Sequence, residues 1–343
     1  MEKENNSNTF KKTHSLHDWE VAAREELNGA DPWEKLSYEG EGWRISPFYN
    51  QNQINPAPLL TASENNFSRP RSWFNCPLVH VYDAKKANET ALQYLKDGAD
   101  GISFELRSEI DFQILLTDIE WRYCSLNFLA KENHQTHATA LDAYISRKKI
   151  NLTEIHGAFF GDFIPQNLLN GEFRFVGFQF AADNSPVEEL INGFKKIIRS
   201  KATSAVAINI SVDTDFFLSI AKIRASQLLW TKYLGTIGIN PNKLFIHVYS
   251  PAWIDKNFQP HGNMLKSTYA AISAILGGCD VVTIEPEDSE NKTMSRAARN
   301  VSNILREESY FSTVADPLAG SYFIEDLTNQ LVESAWASIK PVL

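Results

Sequence analysis

The residues whose types and positions could do chemistry are few: Glu105, Asn127, His156, Asp162, Gln179, Asp213, His247 and Glu285. They stand in or just after short apolar runs, and the active sites of strand-helix barrels sit at the C-terminal ends of the strands. His247 and Glu285, on the seventh and eighth runs, are the candidate acid-base pair if the fold brings them together. The competing reading is a satisfied core histidine and a loop carboxylate. Asp213 and Asp215 bracket a helix start, where backbone N–H groups and the helix dipole stabilise a carboxylate without any catalytic purpose. His134 and His137 have an i, i+3 spacing that can hold a metal, but no acidic or thiol ligand evidently shares their face, so they read as an exposed polar surface. His14 and His17 lie in a polar leader and read the same way, and no structural metal is expected. Ser321 lacks a G-x-S-x-G elbow and reads as a turn residue.

The elements that must position these residues follow from periodicity. Strand candidates are Pro77 to Val81, Gly101 to Leu106, Trp121 to Leu129, Glu154 to Phe160, Phe173 to Phe178, Ser204 to Ser211, Lys243 to Tyr249 and Asp280 to Ile284. Helical spacing falls between them. One helix is capped at Asp83 with Ala91, Leu92 and Leu95 inward, others cover Asp111 to Ile119 and Asn133 to Arg147, and Ser185-Pro186 with Glu188 supplies cap, first-turn proline and capping-box acid together. Phe216, Ile220, Ile223 and Trp230 mark the next helix, Leu265, Tyr269, Ile272 and Leu276 step 4-3-4 along another that ends at Gly277-Gly278, and Ala298, Val301 and Leu305 mark the eighth. Eight strand-helix pairs predict an α/β fold, a (β/α)8 TIM barrel, with an open doubly wound sheet as the alternative. That alternative is not supported by any G-x-G-x-x-G or P-loop motif in the chain.

In front of the barrel, Ser15 to Asp18 reads as a capping box, and Trp19, Ala22, Ala23 and Leu27 continue at helical spacing until Gly29 and Pro32. Trp33 to Tyr49 alternates aromatics with Gly and Pro, as an extended arm would. The expected organisation is a disordered leader over 1–14, a helix and arm over 15–72, the barrel over 73–315 and a helical extension over 316–343.

The chain has 343 residues, 43% hydrophobic and 22% charged, with a net charge of −9. This is ordinary globular composition, and the acidic balance argues against nucleic acid. No apolar run approaches the ~20 residues that span a bilayer, so a cytoplasmic protein without a membrane partner is expected. Cys76, Cys124 and Cys279 are odd in number and scattered, and read as buried thiols.

Three segments carry a family resemblance. The run from Trp19 through Arg24, Leu27 and Gly29 to Pro32, followed by Gly42 to Tyr49, resembles the N-terminal arm of the methylmalonyl-CoA mutase family. Phe216 and Phe217 with Ile220 to Ser226, Leu229 and Trp230 resemble its sixth barrel helix. Arg296 to Glu308, Asp316 to Thr328 and Ala335-Trp336 resemble its end-of-barrel signature. The resemblance implies a barrel whose active members isomerise methylmalonyl-CoA and succinyl-CoA by radicals from adenosylcobalamin, with a further domain supplying the cobalt-ligating histidine.

The chain departs from the pattern of the active members where that chemistry would sit. They carry Gly-Tyr-His-Met-Gln-Glu-Ala-Gly after strand five, and Gly177 to Asn184 here has no histidine. Asn66 stands where they have a substrate-facing tyrosine, and Tyr249, Pro251, Trp253 and Ile254 replace small polar residues that line the path of CoA. These losses resemble the small, non-catalytic subunit of heterodimeric mutases. That resemblance implies that this chain alone binds no cofactor, that adenosylcobalamin belongs to the assembled mutase through the partner, and that Trp19, Trp33, Tyr38, Trp43 and Tyr49 wrap the large catalytic subunit. The alternative is a barrel enzyme with its own acyl-CoA mutase or acid-base activity.

Overall fold

The computed structural model describes residues 15–50, 71–107, 109–162, 173–182, 185–258 and 262–343. The expected leader, Asn66 and the Asp183-Asn184 end of the post-strand-five stretch lie outside these residues. Helix α1 (Leu16–Glu26) starts on the capping box: Ser15 Oγ accepts from Asp18 N at 3.2 Å and the Asp18 carboxylate accepts from Ser15 N at 2.7 Å. Asp31 caps the short α2 (Pro32–Lys35) by accepting from the Trp33 and Glu34 N–H groups. Strands β1 (Tyr38–Gly40) and β2 (Trp43–Ile45) then form an antiparallel hairpin.

The barrel elements follow as β3 (Phe74–Asn75), β4 (Leu78–Val81), α3 (Ala84–Lys96), β5 (Gly101–Leu106), α4 (Phe112–Leu115), β6 (Ser125–Ala130), α5 (His134–Lys148), β7 (His156–Phe160), β8 (Phe173–Gln179), α6 (Pro186–Ser200), β9 (Val206–Ser211), α7 (Phe216–Thr236), β10 (Phe245–Ser250), α8 (Gly262–Gly277), β11 (Val281–Ile284) and α9 (Lys292–Glu307), with α10 (Tyr322–Ile339) after them. Every barrel pairing is parallel, in the order β3-β11-β10-β9-β8-β7-β6-β5-β4. The two ends of that order are halves of one strand. Phe74 and Asn75 pair with β11, whereas Leu78 to Val81 pair with β5. Pro77 separates the halves because it has no N–H for a ladder, and its carbonyl still accepts from Ser103 N at 3.0 Å. The sheet is therefore closed, eight strands around, as the strand count predicts.

Several boundaries differ from the sequence reading. The helix expected over Asp111 to Ile119 is only the single turn α4, and the third strand begins at Ser125, after a 3-10 turn at Trp121–Tyr123. The apolar stripe of α8 turns partly outward. Leu265 and Tyr269 are 62% and 57% exposed, and Ser267, Ala270, Ala271 and Ala274 are buried in their place. Close approach of α7 is the reason, since a Cβ on Gly277 would stand 2.8 Å from Ile223. Only small side chains fit that seam. The outward Tyr269 ends a ladder of rings that runs from Tyr49 through Phe323, Phe217 and Phe216, with centroids 4.8 to 6.0 Å apart.

Helix α10 lies across α6 and α7 and buries Leu327, Leu331, Ala335 and Ile339 on them. Its N-terminal end is fixed by charge. Arg224 of α7, 1% exposed, donates to Asp316 at 2.7 Å and stands 3.5 Å from Glu325, while Arg71, at the entry to the barrel, reaches Asp316 at 3.7 Å and the Ala315 carbonyl. The hairpin packs on the other side of α10, where Ser334 Oγ donates to Gly42 O at 2.6 Å and Gln330 exchanges bonds with both backbone groups of Arg44. Removing one member of a buried ion cluster strands the others, at a cost of about 3–5 kcal/mol. Arg224→Ala is expected to lower the urea-unfolding free energy by that amount, with Lys232→Ala, whose partner Glu333 is exposed, changing it by less than about 1 kcal/mol.

Candidate functional site at the barrel mouth

The parallel register of β4 and β5 puts His80 directly opposite Glu105. His80 Nδ1 lies 2.6 Å from Glu105, and its Nε2 lies 3.5 Å from Glu285 at the end of β11. One imidazole thus joins carboxylates from the two strands that flank it. Arg107 reaches Glu105 at 2.5 Å and Lys131, after β6, at 3.5 Å. The Tyr249 hydroxyl from β10 donates to Glu285. The result is a strap across the tops of five consecutive strands, β6 to β10 by way of the seam.

The electrostatics follow from these contacts. The two carboxylates raise His80 to about 9, so it is cationic at neutral pH. Burial opposes ionisation of Glu105, but His80 and Arg107 outweigh it and bring the group down to about 2. Glu285 is likewise lowered by His80 and Tyr249 against its burial, and Tyr249 is raised by burial and by Glu285. Each carboxylate is ionised and already partnered. Both are held below the ordinary carboxylate range, which makes each a weak base at neutral pH.

His247 and Glu285, the expected acid-base pair, do not converge. His247 points into the barrel interior, fully buried, with Nδ1 2.8 Å from Asn209 and Nε2 2.8 Å from Thr283 and 3.2 Å from Ser103. Phe160 stacks on its face at 5.3 Å. Burial pushes its pKa down to about 3, so it is a neutral core histidine with both nitrogens in use. Glu285 is one strand-end residue further on, outside the interior layer.

The other candidates fall in different places. Asp162 accepts from Gln179 N at 2.8 Å and pairs with Lys196 at 2.7 Å, while the Gln179 side chain donates to the Ala130 and Phe160 carbonyls. Asn127 is buried in mid-strand. His156 opens β7 and so lies at the opposite end of the barrel, against Phe74. Asp215 caps α7 and Asp213 accepts from Asp215 N, as the sequence suggests. The pair His134 and His137 is not an exposed polar face: His137 is buried against the barrel, and His134 is held by the Gly161 carbonyl. All three thiols are buried, which pushes Cys124 and Cys279 up to about 12 and Cys76 well above its usual value.

The arm aromatics divide. Trp43 is buried in the core beside α10, and Tyr49 lies 5.5 Å from Phe323. Trp19 stands edge-on to Trp33 at 5.1 Å, and the Trp33 indole donates to Glu20 at 2.6 Å. Tyr38 is exposed, and α1 buries no residue of its own. The sequence reading missed His80, Arg107 and Lys131. The available signal was a lone histidine in the first apolar run, one residue from the end of the strand, as Glu105 is in the next.

A family model described as methylmalonyl-CoA mutase matches residues 199–343. The small subunit of that enzyme from Porphyromonas gingivalis is 27% identical over 91% of this chain and 60% of its own length. The small subunit from Streptomyces virginiae is 36% identical, covering 41% of this chain and 24% of its own. This chain therefore spans less than two thirds of these relatives. Among solved structures, dihydropteroate synthase from Burkholderia cenocepacia covers 71% of this chain and 94% of its own at 12% identity, with a TM-score of 0.42.

The charged groups set a pH profile. His80 is raised, so its stabilisation is complete below pH 6.5 and is lost as the pH rises through about 9. Glu105 is lowered, so its stabilisation is present above pH 4.5 and is lost as the pH falls through about 2. His247 is depressed, so below pH 6.5 the unfolded chain binds a proton that the folded chain refuses until about pH 3. All three place the stability maximum near pH 6.5. Thermal unfolding from pH 5 to 10 is expected to show that maximum, and His80→Gln is expected to flatten the alkaline limb while an acid limb, set by His247, persists.

Proposed function

From its kinship with the methylmalonyl-CoA mutases and their small subunits, we propose that this chain is a small, non-catalytic subunit of an adenosylcobalamin-dependent methylmalonyl-CoA mutase, which stabilises the large catalytic subunit in a heterodimer. The observation that carries the reading is the state of the barrel mouth. A radical isomerase needs donors aimed at a thioester carbonyl and an open path for the acyl chain. Here the Gln179 amide, at the position where active members carry their histidine motif, is used on two backbone carbonyls, and Tyr249 and the ionic strap tie the strand ends at the rim to one another. The interior below is filled by Phe160 on His247.

The same residues do not fit the cobalamin cofactor. Among the described residues the spare donors of the mouth, on Arg107 and Lys131, stand at its rim and the interior polar groups are paired with one another, so the cofactor belongs to the partner in this reading. The arm is the part suited to pairing. Its α1 packs on α2 and, through Trp19, on Phe48, and buries no residue of its own, with Trp19, Val21, Leu36 and Tyr38 partly or largely accessible, and aromatic anchors of this kind dominate large interfaces. No helix among the described residues is long and apolar enough to cross a membrane.

Light scattering on a size-exclusion column, with this chain alone and mixed with the large mutase subunit of the same organism, tests the proposal. A 1:1 complex is expected, with isomerase activity that survives His247→Gln. Two separate peaks, or acyl-CoA turnover by this chain alone, would overturn it.

A further inference from the structure

We propose that the rim of the mouth over β4, β5 and β6 is an oxyanion site, which takes one carboxylate or phosphate group on Arg107 and Lys131. The first ground is a local charge surplus. His80, Arg107 and Lys131 are three cations gathered on two carboxylates, Glu105 and Glu285, which leaves one positive charge in a chain whose net charge is −9. At the neighbouring pair Lys196 and Asp162, one cation meets one carboxylate and no surplus arises.

The second ground is the excess of donors over the acceptors that face them. Glu105 Oε2 takes His80 and Arg107 and its Oε1 faces Lys131, while Glu285 is divided between His80 and Tyr249. Both carboxylates are thus engaged through both oxygens. Arg107 uses its Nε and Nη2 on Glu105, so guanidinium protons remain, and Lys131 meets Glu105 only at 3.5 Å. Those two side chains are 41% and 49% exposed, whereas Glu105 is 9% exposed. The spare donors therefore face water and the neutralising charge lies beneath them.

The third ground is fixed geometry. Arg107 is held from two sides, by Glu105 at 2.5 Å and by the Tyr82 ring 5.6 Å from its guanidinium carbon. A guanidinium already ordered loses little freedom on meeting a planar carboxylate or a phosphate, and its fork matches either. The site stands apart from the pairing proposed above: it holds whether or not the chain has a large subunit. The oxyanion can come from a free small molecule or from acidic side chains of another polypeptide, and the chemistry at Arg107 is the same.

The test is a titration of the full chain in low-salt buffer at pH 7, following the arginine Nε–H resonances, with sodium phosphate, sodium acetate and a glutamate-rich decapeptide, and with sodium chloride as control. A saturable shift is expected that chloride does not reproduce. Arg107→Gln and Lys131→Gln are each expected to weaken binding tenfold or more, and Glu105→Gln, which removes the competing carboxylate, to tighten it at least threefold, with circular dichroism confirming that each variant is folded. Saturation by phosphate or acetate assigns a small-molecule source, and saturation by the peptide alone assigns a polypeptide. No saturable shift in either the wild type or Glu105→Gln, or binding unchanged in Arg107→Gln, overturns the site.

Discussion

The whole barrel depends on one short strand that pairs in two directions. Phe74 and Asn75 close onto β11 and Leu78 to Val81 onto β5, with Pro77 between them as the residue that cannot donate. Closure removes the sheet edges and fixes which residues line the interior. Side chains reinforce the seam at three levels. Near its start, the Trp73 indole donates to Ser302 and Asn75 to the Arg299 carbonyl, both on α9. In its middle, the Thr283 hydroxyl donates to the Cys76 carbonyl at 2.6 Å. At its top, His80 joins Glu105 and Glu285 across it. The strap is thus a seam fastening as much as a surface feature.

A second fastening ties the parts outside the barrel to it. Arg224 is buried on α7, and its two carboxylate neighbours come from the segment that leads into α10 and from α10 itself. Arg71 adds the entry to the first strand to the same cluster. Since α10 also carries the β1–β2 hairpin, the arm is attached to the barrel through this helix. Ordering of the arm is therefore coupled to the ion cluster.

The sequence showed the barrel well because barrel strands read as short apolar runs whatever their neighbours. It showed sidedness poorly. Leu265 and Tyr269 repeat at helical spacing, but spacing does not say which of two faces meets the sheet, and α8 buries its alanines because α7 is too close for anything larger. His137 illustrates the converse, a polar residue taken inward on a helix whose apolar positions are sparse, with burial depressing its pKa. The site was half legible. Glu105 and Glu285 stood out as strand-end carboxylates, but their partner His80 lay inside an apolar run and its role depends on closure, a long-range event that no local pattern encodes.

The fate of His247 shows why residue type alone misled. On a parallel strand, alternate side chains enter the interior, and the register sets His247 opposite Asn209. An imidazole there must be neutral and must satisfy both nitrogens, since water is excluded and an unpaired polar group is costly. Asn209, Thr283 and Ser103 meet that requirement. The same contacts remove every lone pair and proton that catalysis would use. Position in the pleat, not chemical capacity, therefore decides between the two histidines: His247 is consumed by the fold, and His80, which faces the rim, is left to organise charge at the surface.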